Sequence, residues 1–424
     1  MKKKVIALFR KSWLPLLLAV LVLIGLTAWE NEIPWLSDPS HDTPSAVSVP
    51  TNSNVQSNIT GSESGAEYAD GTTIKLSLLG DIMCHPTQYE AAKINNAYDF
   101  SPCFEDIQSD IADADLTLAN LETTLAGKEM TYSGYPSFNT PEQLAYALKK
   151  TLGVDVVSTA NNHALDRMYS GLCHTIDFLD ACGLKHTGTY KTQEESTKIL
   201  IENVSGVKIA FLSYTYGTNG ITLSHDKDFA VNYLDRDKIK QDAQNARDAG
   251  AAIIIASLHW GTEYAEKPSA EQTALSRWVF ENTEVDIISG NHAHAVEPIE
   301  FINVVHHSTQ KDKEGLVIYA QGNFISDQKT DSANMGIAVN IIVENHPDDK
   351  PTIAYVEYFP TWIDETAGAG LRSYRVLNVE KALEAYCSGK DPLLSEADYQ
   401  EMLSHAINIK KIIPANDRIR YTVK

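Results

Sequence analysis

Residues that commonly bind metal ions recur in this 424-residue chain, each time just after a short apolar run. They are Asp81, Glu122, Asn162, His163, Asp166, His259, Glu263, His292, His294 and Asn323. Carboxylate and amide oxygens mixed with imidazoles suit divalent first-row ions such as Mn, Fe or Zn. Two such ions about 3.5 to 4 Å apart can generate hydroxide and hold both reacting oxygens of a phosphoryl transfer. The pattern therefore predicts a metal or anion site, with one or two divalent ions as its cofactor.

The elements that must position these residues alternate between short apolar runs and amphipathic stretches. Strands are predicted at 74–79, 116–119, 154–159, 209–214, 251–258, 285–289 and 316–320, and helices near 104–113, 141–150, 169–182, 235–249 and 270–282. This alternation is typical of a layered α/β fold, in which ligands gather at the carboxyl ends of strands. We therefore expect the polar residues at one edge of one sheet. Antiparallel strands at 337–343 and 352–359 then precede a mainly helical tail from about residue 378.

Each polar run taken alone has a simpler interpretation. An Asp that follows a strand is most often a helix cap or a turn residue. A purely structural alternative therefore keeps these residues as strand-end caps in a surface domain. Recurrence of the pattern at five strand ends favours a shared site instead. Four other histidines lack such neighbours and are interpreted as surface or packing residues, namely His85, His225, His306 and His307.

The N-terminal 72 residues are predicted to lie outside the folded domain. Residues 1–12 form a basic cytoplasmic tail, and residues 13–29 are uncharged and at the short end of what spans a bilayer as a helix. This segment is a membrane anchor or an export signal, and the cations before it place the N-terminus in the cytoplasm. Residues 30–72 predict a disordered extracellular linker. The expected location is the cell membrane, single-pass, with the ectodomain outside the cell.

Composition narrows the class of protein. The chain has 35 Lys and Arg against 56 Asp and Glu, a net charge of −21. This balance argues against a nucleic-acid binder, because phosphate contacts need clustered cations. The five cysteines are too few and too scattered for a disulfide framework.

An ordered set of motifs resembles the CapA family, bacterial capsule synthesis proteins linked to poly-gamma-glutamate. The motifs are Gly80-Asp81-Ile82-Met83, Asn120-Leu121-Glu122, the run 160–166 (ANNHALD), the run 259–264 (HWGTEY), Gly290-Asn291-His292-Ala293-His294 and Gly322-Asn323-Phe324. The resemblance covers about 250 residues, from about 75 to 325. It implies a domain at 73–345, with C-terminal strands and helices at 346–424 that pack on it.

That family is in turn similar to the calcineurin-like metallophosphoesterases, which implies a four-layer αββα sandwich. Carried over residue by residue, the metal ligands are Asp81, Glu122, Asn162, His259, His292 and His294, with Glu122 as the bridging carboxylate. His163 falls at the position that donates a proton to the leaving oxygen, and Asp166 is placed to orient it. Glu263 and Asn323 are assigned to substrate binding.

Two of the motifs depart from the metallophosphoesterase pattern. That pattern has Asp-x-His in its first motif, whereas this chain has Met83, whose thioether is a poor ligand for a hard ion. The second motif is Asn-Leu-Glu in place of Gly-Asp. The first metal position therefore lacks one ligand, for which Cys84 and His85 are the neighbouring substitutes.

Two functional hypotheses remain open. The first is a metal-dependent hydrolase that acts on a phosphoester or an amide-linked anionic polymer outside the cell. The second is a non-catalytic scaffold in capsule assembly or export, which binds a polyanion through a metal and has capsule synthase subunits as partners. An acidic chain repels such a polymer at long range, so either role needs a local cationic focus, which divalent ions would supply.

Overall fold

Alternating apolar residues build the strands that form the centre of the fold. The computed structural model describes residues 72–330, 332–346, 349–368 and 371–422. The strands are β1 (Thr73–Ile82), β2 (Lys93–Ile94), β3 (Ala97–Tyr98), β4 (Leu116–Leu121), β5 (Val156–Ser158), β6 (Lys185–Thr187), β7 (Leu200–Val204), β8 (Val207–Thr215), β9 (Ile253–His259), β10 (Ile287–Asn291), β11 (Ile299–Val305), β12 (Asp312–Ile318), β13 (Asn323–Ile325), β14 (Met335–Glu344), β15 (Thr352–Gly368), β16 (Leu371–Asn378) and β17 (Ile419–Tyr421). The helices are α1 (Pro86–Ala91), α2 (Glu105–Ile111), α3 (Gln143–Ala147), α4 (Met168–Cys182), α5 (Arg236–Asp248), α6 (Ala270–Asn282), α7 (Val379–Cys387) and α8 (Glu396–Ile412).

Most of the strands belong to two mixed sheets. The larger sheet has the order β16-β15-β14-β1-β4-β5-β6, with β13 beside β1 and β17 beside β15. Strands β1, β4, β5 and β6 are parallel, whereas the pairs β1-β14, β14-β15 and β15-β16 are antiparallel and β17 runs parallel to β15. The smaller sheet has the order β11-β12-β10-β9-β8-β7, parallel at its centre and antiparallel at both edges. The predicted α/β architecture is confirmed.

Side chains of alternating direction create one core between the sheets and one on the outer face of each. In β9, Ile253 and Ile255 belong to the core between the sheets, whereas Ile254 and Leu258 pack with α5 and α6. Helices α2, α3 and α4 cover the outer face of the larger sheet in the same way. The layers therefore run helices, sheet, sheet, helices, and any polar residue at an inner strand position is enclosed between the sheets.

One sequence-based expectation about the fold is corrected. The candidate residues do not follow strands of one sheet, because β1 and β4 lie in the larger sheet and β9 and β10 in the smaller one. Beyond residue 345 the chain continues the larger sheet, since β15 pairs with β14. The tail after 378 ends in β17, which pairs with β15. A period-two pattern identifies a strand and its buried face but carries no information about which strands pair.

The helix predicted at 141–150 has a different form in the structure. Helix α3 ends at Ala147, and the chain continues as a π-helix over Leu148–Leu152. This wider turn leaves both Leu148 and Leu152 buried in the outer core of the larger sheet. By contrast, the helix predicted at 270–282 is confirmed as α6, and its N-cap Ser269 forms a capping box with Gln272.

The expectations for the N-terminal tail, the anchor and most of the linker lie outside the described residues. None of the helices within the described ranges has the length and apolar character needed to cross a bilayer. The five cysteines all lie within those ranges and are free thiols.

Gly290 in β10 lies against the backbone of Ile318 and Tyr319, at the end of β12. A Cβ atom at this position would lie 1.8 Å from the carbonyl oxygen of Tyr319, which is backbone and cannot rotate away. We expect Gly290→Ala to destabilise the fold by about 3 kcal/mol or more, the upper end of the usual cost of overpacking. Calorimetric unfolding measures this change. Gly217→Ala, where an added Cβ meets no atom within 4 Å, is the control; equal melting temperatures for the two variants would contradict the prediction.

Candidate metal centre

The candidate ligands follow from the inward-facing positions of their strands. In β4, Leu116 and Leu118 face the core between the sheets, so Asn120 and then Glu122 continue on the same side. In β9 the same alternation carries Ile253 and Ile255 to His259 at the strand end. The site therefore lies between the two sheets, at the carboxyl ends of their parallel strands.

A bulge in β1 turns Asp81 toward this site. The pairing of β1 with β4 shifts register at Gly80, because Leu79 pairs with Ala119 and Asp81 pairs with Asn120. The extra residue brings Asp81 to the same face as Asn120. A Cβ atom at Gly80 would lie 2.0 Å from the carbonyl oxygen of Gly322, so only glycine fits the bulge.

The two histidines after β10 lie on a turn of unusual backbone conformation. His292 has a φ of 95° and His294 a φ of 50°, both in the left-handed region that is costly for side chains with a Cβ. The amide nitrogen of His292 donates to Asp81 Oδ2 across the gap between the sheets, at 3.2 Å. Such strained residues cluster at functional sites, where the surrounding structure holds them in place.

Glu122 lies at the centre of the candidate ligands. Two groups of ligand atoms each fall within 4.8 Å of one another, Glu122-His259-His292 and Asp81-Glu122-His294. Glu122 Oε1 lies 3.5 Å from His259 Nε2 and 3.6 Å from His294 Nε2. Since both groups include Glu122, its carboxylate would be shared by any two ions that these groups held.

Asn162 joins the group that contains His259. Its Oδ1 atom lies 2.8 Å from His259 Nε2. The other group closes through His294, whose Nδ1 lies 3.1 Å from Asp81 Oδ2. The structure thus brings together all six residues that the sequence assigns to metal binding, although they come from both sheets and from three loops.

Burial sets the protonation of the imidazoles. It lowers the pKa of His259 to about 3 and that of His292 to about 2, so both rings are neutral at physiological pH. Metal binding requires the unprotonated ring nitrogen. Burial opposes the charged form of His294 as well, but the charge of Glu122 and the hydrogen bond to Asp81 raise its pKa to about 9.

The two buried carboxylates respond differently to the same surroundings. Burial works against the charged form of Asp81, yet the hydrogen bond and charge of His294 outweigh it and lower the pKa to about 2. Burial, followed by the charge of Asp81, raises the pKa of Glu122 well above its ordinary value. A cation between them would favour both charged carboxylates.

Unpaired polar atoms show that the donor set fits a cation. Glu122 Oε1 and His292 Nδ1 are buried and have no hydrogen-bond partner among the described residues. Leaving such an atom unpaired costs about 1–3 kcal/mol, and more for a charged group. A divalent ion held by carboxylate oxygens, an amide oxygen and neutral imidazoles accounts for these atoms.

His163 and Asp166 form a buried pair beside the ligands. His163 Nδ1 lies 2.7 Å from Asp166 Oδ2, and the same oxygen accepts a hydrogen bond of 2.6 Å from the backbone N–H of Phe138. The Phe138 ring also packs edge-on against the imidazole, at 4.6 Å between centroids. Because Nδ1 is held by the carboxylate, a proton available for transfer would sit on Nε2.

The two residues assigned to substrate binding lie in different surroundings. Glu263 is exposed, and a carboxylate oxygen lies within 4.8 Å of ligand atoms of His292 and His294. Asn323 is fully buried, and both ends of its amide are engaged. Its Oδ1 lies 2.9 Å from His294 Nδ1, and its Nδ2 donates to Gln328 and to the carbonyl of Ala333. Asn323 is therefore placed to orient His294, and its assignment to substrate binding stays a prediction.

Several residues at the site were missed by the sequence reasoning. Tyr216 is 50% exposed and its ring lies 4.6 Å from that of His292, while Tyr264 is 40% exposed and lies 6.0 Å from His294. Asn219 lies 3.3 Å from Asn162 and 3.5 Å from the His163 ring. These three sit on loops, where no periodic pattern could identify them.

Asn120 holds the two carboxylates in place and had a signal in the sequence. It is two residues before Glu122, hence on the same face of β4. Its Nδ2 donates to Asp81 Oδ1 at 2.7 Å and lies 3.4 Å from Glu122 Oε2, while its Oδ1 accepts from Ser158 at 3.0 Å. Asn120 is thus the partner that fixes the ligands from behind.

We expect Asn120→Ala to weaken metal binding by about 10- to 100-fold, the usual effect of losing a residue that orients ligands. Isothermal titration of the full chain with Mn²⁺ measures this affinity. Ser213→Ala is the control, because the Ser213 hydroxyl is buried but has no hydrogen-bond partner among the described residues. Equal affinities in the two variants would show that Asn120 does not position the ligands.

Comparison with known proteins places these observations in context. The chain is 25% identical over 346 residues to the capsule biosynthesis protein CapA of Bacillus anthracis, covering 77% of this chain and 78% of that one. It is 30% identical over 190 residues to the PGA biosynthesis protein CapA of Bacillus subtilis, covering 42% and 44%. The chain thus spans less than half of the Bacillus subtilis relative.

Solved structures are similar at low sequence identity. NAD nucleotidase (NadN) of Haemophilus influenzae is 11% identical with a TM-score of 0.42, over 82% of this chain and 58% of that one. The calcineurin-like phosphoesterase YfkN of Bacillus subtilis is 12% identical with a TM-score of 0.41, over 80% and 99%.

A family model covers the whole of the candidate centre. The model described as bacterial capsule synthesis protein PGA_cap matches residues 75–328. This span begins in β1, ends just after β13, and includes every ligand and the His163-Asp166 pair. The family resemblance inferred from the motifs is confirmed, and the chain belongs to the bacterial capsule synthesis protein PGA_cap family.

Proposed function

We propose that this protein is a divalent-metal-dependent hydrolase of capsule biosynthesis, resembling metallophosphoesterases in its chemistry. The observation that carries this proposal is Glu122, a buried carboxylate shared by two ligand groups. A scaffold would need only one cation, whereas a shared carboxylate is the arrangement that holds two ions close enough to act on one bond.

The residues divide into two sets of ligands for Mn, Fe or Zn. Asp81, Glu122 and His294 would hold one ion, and Glu122, Asn162, His259 and His292 the other. When bound, divalent ions lower the pKa of a water molecule and stabilise negative charge on the reacting group. The chain's own contribution is to hold these ligands rigidly, through Asn120 and Asn323, in a space closed by both sheets.

His163 supplies the proton that the leaving group needs. Asp166 fixes Nδ1, which directs Nε2 as the donor, and Phe138 fixes the plane of the ring. His163 is 3% exposed, so its proton is shielded from bulk water until a substrate enters. A histidine in such a position contributes about 10²- to 10⁴-fold to a rate.

The substrate class follows from the family and the charge of the chain. Relatives carry the names capsule biosynthesis protein and PGA biosynthesis protein. We propose an anionic capsule polymer such as poly-gamma-glutamate, or a phosphoester formed during its synthesis, as the substrate. The net charge of −21 makes the ions themselves the cationic focus for such a substrate. The exposed rings of Tyr216 and Tyr264 lie beside His292 and His294 and are available for contact with a substrate.

We also propose that the protein acts at the outer face of the cell membrane, beside capsule synthase subunits. The uncharged segment at 13–29, with five cations before it, supports an anchor of this orientation. Fractionation of cells, followed by protease treatment of intact cells, tests this location; a protein that stays in the soluble fraction would contradict it.

The function is tested by removing the metals and adding them back. The full chain, purified in mild detergent, is treated with chelator and then supplied with Mn²⁺, Fe²⁺ or Zn²⁺. Poly-gamma-glutamate of defined length and a nitrophenyl phosphodiester serve as substrates. We expect at least one ion to restore hydrolysis of one of them. Metal binding without turnover of either substrate would contradict the hydrolase.

A scaffold that binds a polyanion through one metal is the second candidate. Met83 favours it, because the first motif lacks the imidazole that a full pair of metal sites would use. A scaffold would bind the polymer only when metal is present and would be indifferent to His163→Ala. Polymer binding by light scattering or titration, with and without chelator, distinguishes this candidate.

A further inference from the structure

We infer that Glu263 is a metal ligand that replaces the imidazole missing at Met83. The inference rests on the proposed metal centre and specifies its composition. Glu263, in the loop after β9, would provide the ligand that the first motif, at the end of β1, lacks.

Met83 has no means of binding a hard cation. It is 1% exposed, its backbone N–H donates to Ile325 at 2.9 Å, and its thioether contacts the hydroxyl of Ser326. Residue 83 directly follows β1, two positions after Asp81. The first motif therefore has a soft sulfur where the metallophosphoesterase pattern has an imidazole.

Neither neighbour of Met83 replaces the missing ligand. Cys84 is buried in the outer core of the larger sheet, and burial raises the pKa of its thiol well above the ordinary value, so it is not a thiolate. His85 Nδ1 accepts the backbone N–H of Asp327, and its ring packs on Phe138. Within the described ranges, neither residue belongs to any of the three ligand groups.

Glu263 does belong to such a group. Its carboxylate, His292 and His294 offer ligand atoms that all lie within 4.8 Å of one another. His294 also belongs to the Asp81-Glu122-His294 group, and His292 also belongs to the Glu122-His259-His292 group. Glu263 therefore lies next to one proposed ligand of each ion.

Backbone hydrogen bonds fix this loop to the histidine turn. Trp260 N donates to Asn291 O at 3.1 Å, and Tyr264 N donates to Ala293 O at 2.6 Å. These two bonds lie on either side of Glu263 and on either side of His292. The distance from the Glu263 backbone to the two imidazoles is consequently set by the fold and not by a free loop.

Exposure separates Glu263 from the other carboxylates of the centre. Asp81 and Glu122 are fully buried, whereas Glu263 is exposed. A carboxylate is a hard ligand that suits the same ions as the buried pair. The centre would thus have an inner wall of permanent ligands and one outer ligand within reach of an entering substrate.

Titration of metal alone into the full chain tests this assignment. We expect Glu263→Gln to weaken one binding event by about tenfold or more while the other changes less than twofold, since one ligand of one ion is lost. The d–d absorption of bound Co²⁺, which reports the ligand set, should change at the same time. Glu266→Gln is the matched control, because Glu266 is an exposed acid three residues away whose carboxylate is bonded to Asn408.

A second variant keeps the assignment testable. Met83→His in the Glu263→Gln background should restore the weakened site to within about threefold of its original affinity, because it returns the absent imidazole. A contact used only for substrate would leave metal binding unchanged in every variant when no substrate is present. Glu263→Gln with the affinity and Co²⁺ spectrum of the unsubstituted chain would therefore overturn the inference.

Failure of this inference is distinguishable from failure of the proposed function. If the unsubstituted chain binds no ion, the metal centre and the role of Glu263 are both wrong. If it binds one or two ions with unchanged affinity in Glu263→Gln but loses them in His259→Ala, the centre stands and only the role of Glu263 is wrong.

Discussion

We expect His163→Ala to lower kcat by about 10²- to 10⁴-fold, because the proton donor is lost. The metal content should stay unchanged. The imidazole is hydrogen-bonded to Asp166 and packs against the Phe138 ring, so its removal should not disturb the carboxylates that would hold the ions. Turnover of the substrate that the metal-replaced protein accepts, together with metal analysis of the same sample, measures both quantities.

His85→Ala provides the matched control for that experiment. His85 packs edge-on against Phe138 at 5.2 Å, as His163 does at 4.6 Å, but lies outside the His163-Asp166 pair. Its loss removes a ring contact and the hydrogen bond from the Asp327 N–H, neither of which involves a candidate ligand, so kcat should stay within about threefold. If His163→Ala retains full turnover, or if it loses its metal, the assignment of His163 as proton donor is wrong.

Glu122→Gln has the largest expected effect on metal binding. The shared carboxylate belongs to both ligand groups, so the affinity for both ions should fall more than about 100-fold, beyond the range for an orienting residue. With metal at 100 times its Kd, the unsubstituted chain gains about 2.7 kcal/mol of stability, and the variant should gain almost none. Thermal unfolding with and without metal shows this difference as a missing rise in Tm.

Glu297→Gln serves as its control. Glu297 is also a fully buried acid with one unpaired oxygen among the described residues, but its other oxygen accepts from Gln272. It belongs to none of the ligand groups found among the described residues. The metal-dependent rise in Tm should persist in Glu297→Gln, and a similar rise in Glu122→Gln would contradict the bridging role.

Much of the site was predictable because strands have a fixed period. Apolar residues at 116 and 118 place Glu122 on the inner face, and those at 253 and 255 do the same for His259. The motif order added Asp81 and the two histidines after β10. The period-two pattern predicts only the face of its own strand on which a side chain lies.

The remainder depended on contacts between distant parts of the chain. Two sheets meet at the centre, although each strand pattern is equally compatible with one sheet. The pairing of β13 with β1 places Asn323 beside His294, a contact that no strand pattern predicts. The position of Glu263 depends on two hydrogen bonds from the loop after β9, to Asn291 and to Ala293. No local sequence pattern predicts such contacts.

The hydrogen bond from the His292 backbone to Asp81 joins residues 211 positions apart. The ligand set is therefore incomplete until the last strands of the smaller sheet have docked against the larger one, late in a folding process of high contact order. A chain that is exported unfolded would then load its ions only after translocation. The supply of metals outside the cell, and not the cytoplasmic pool, would decide which ion the mature protein contains.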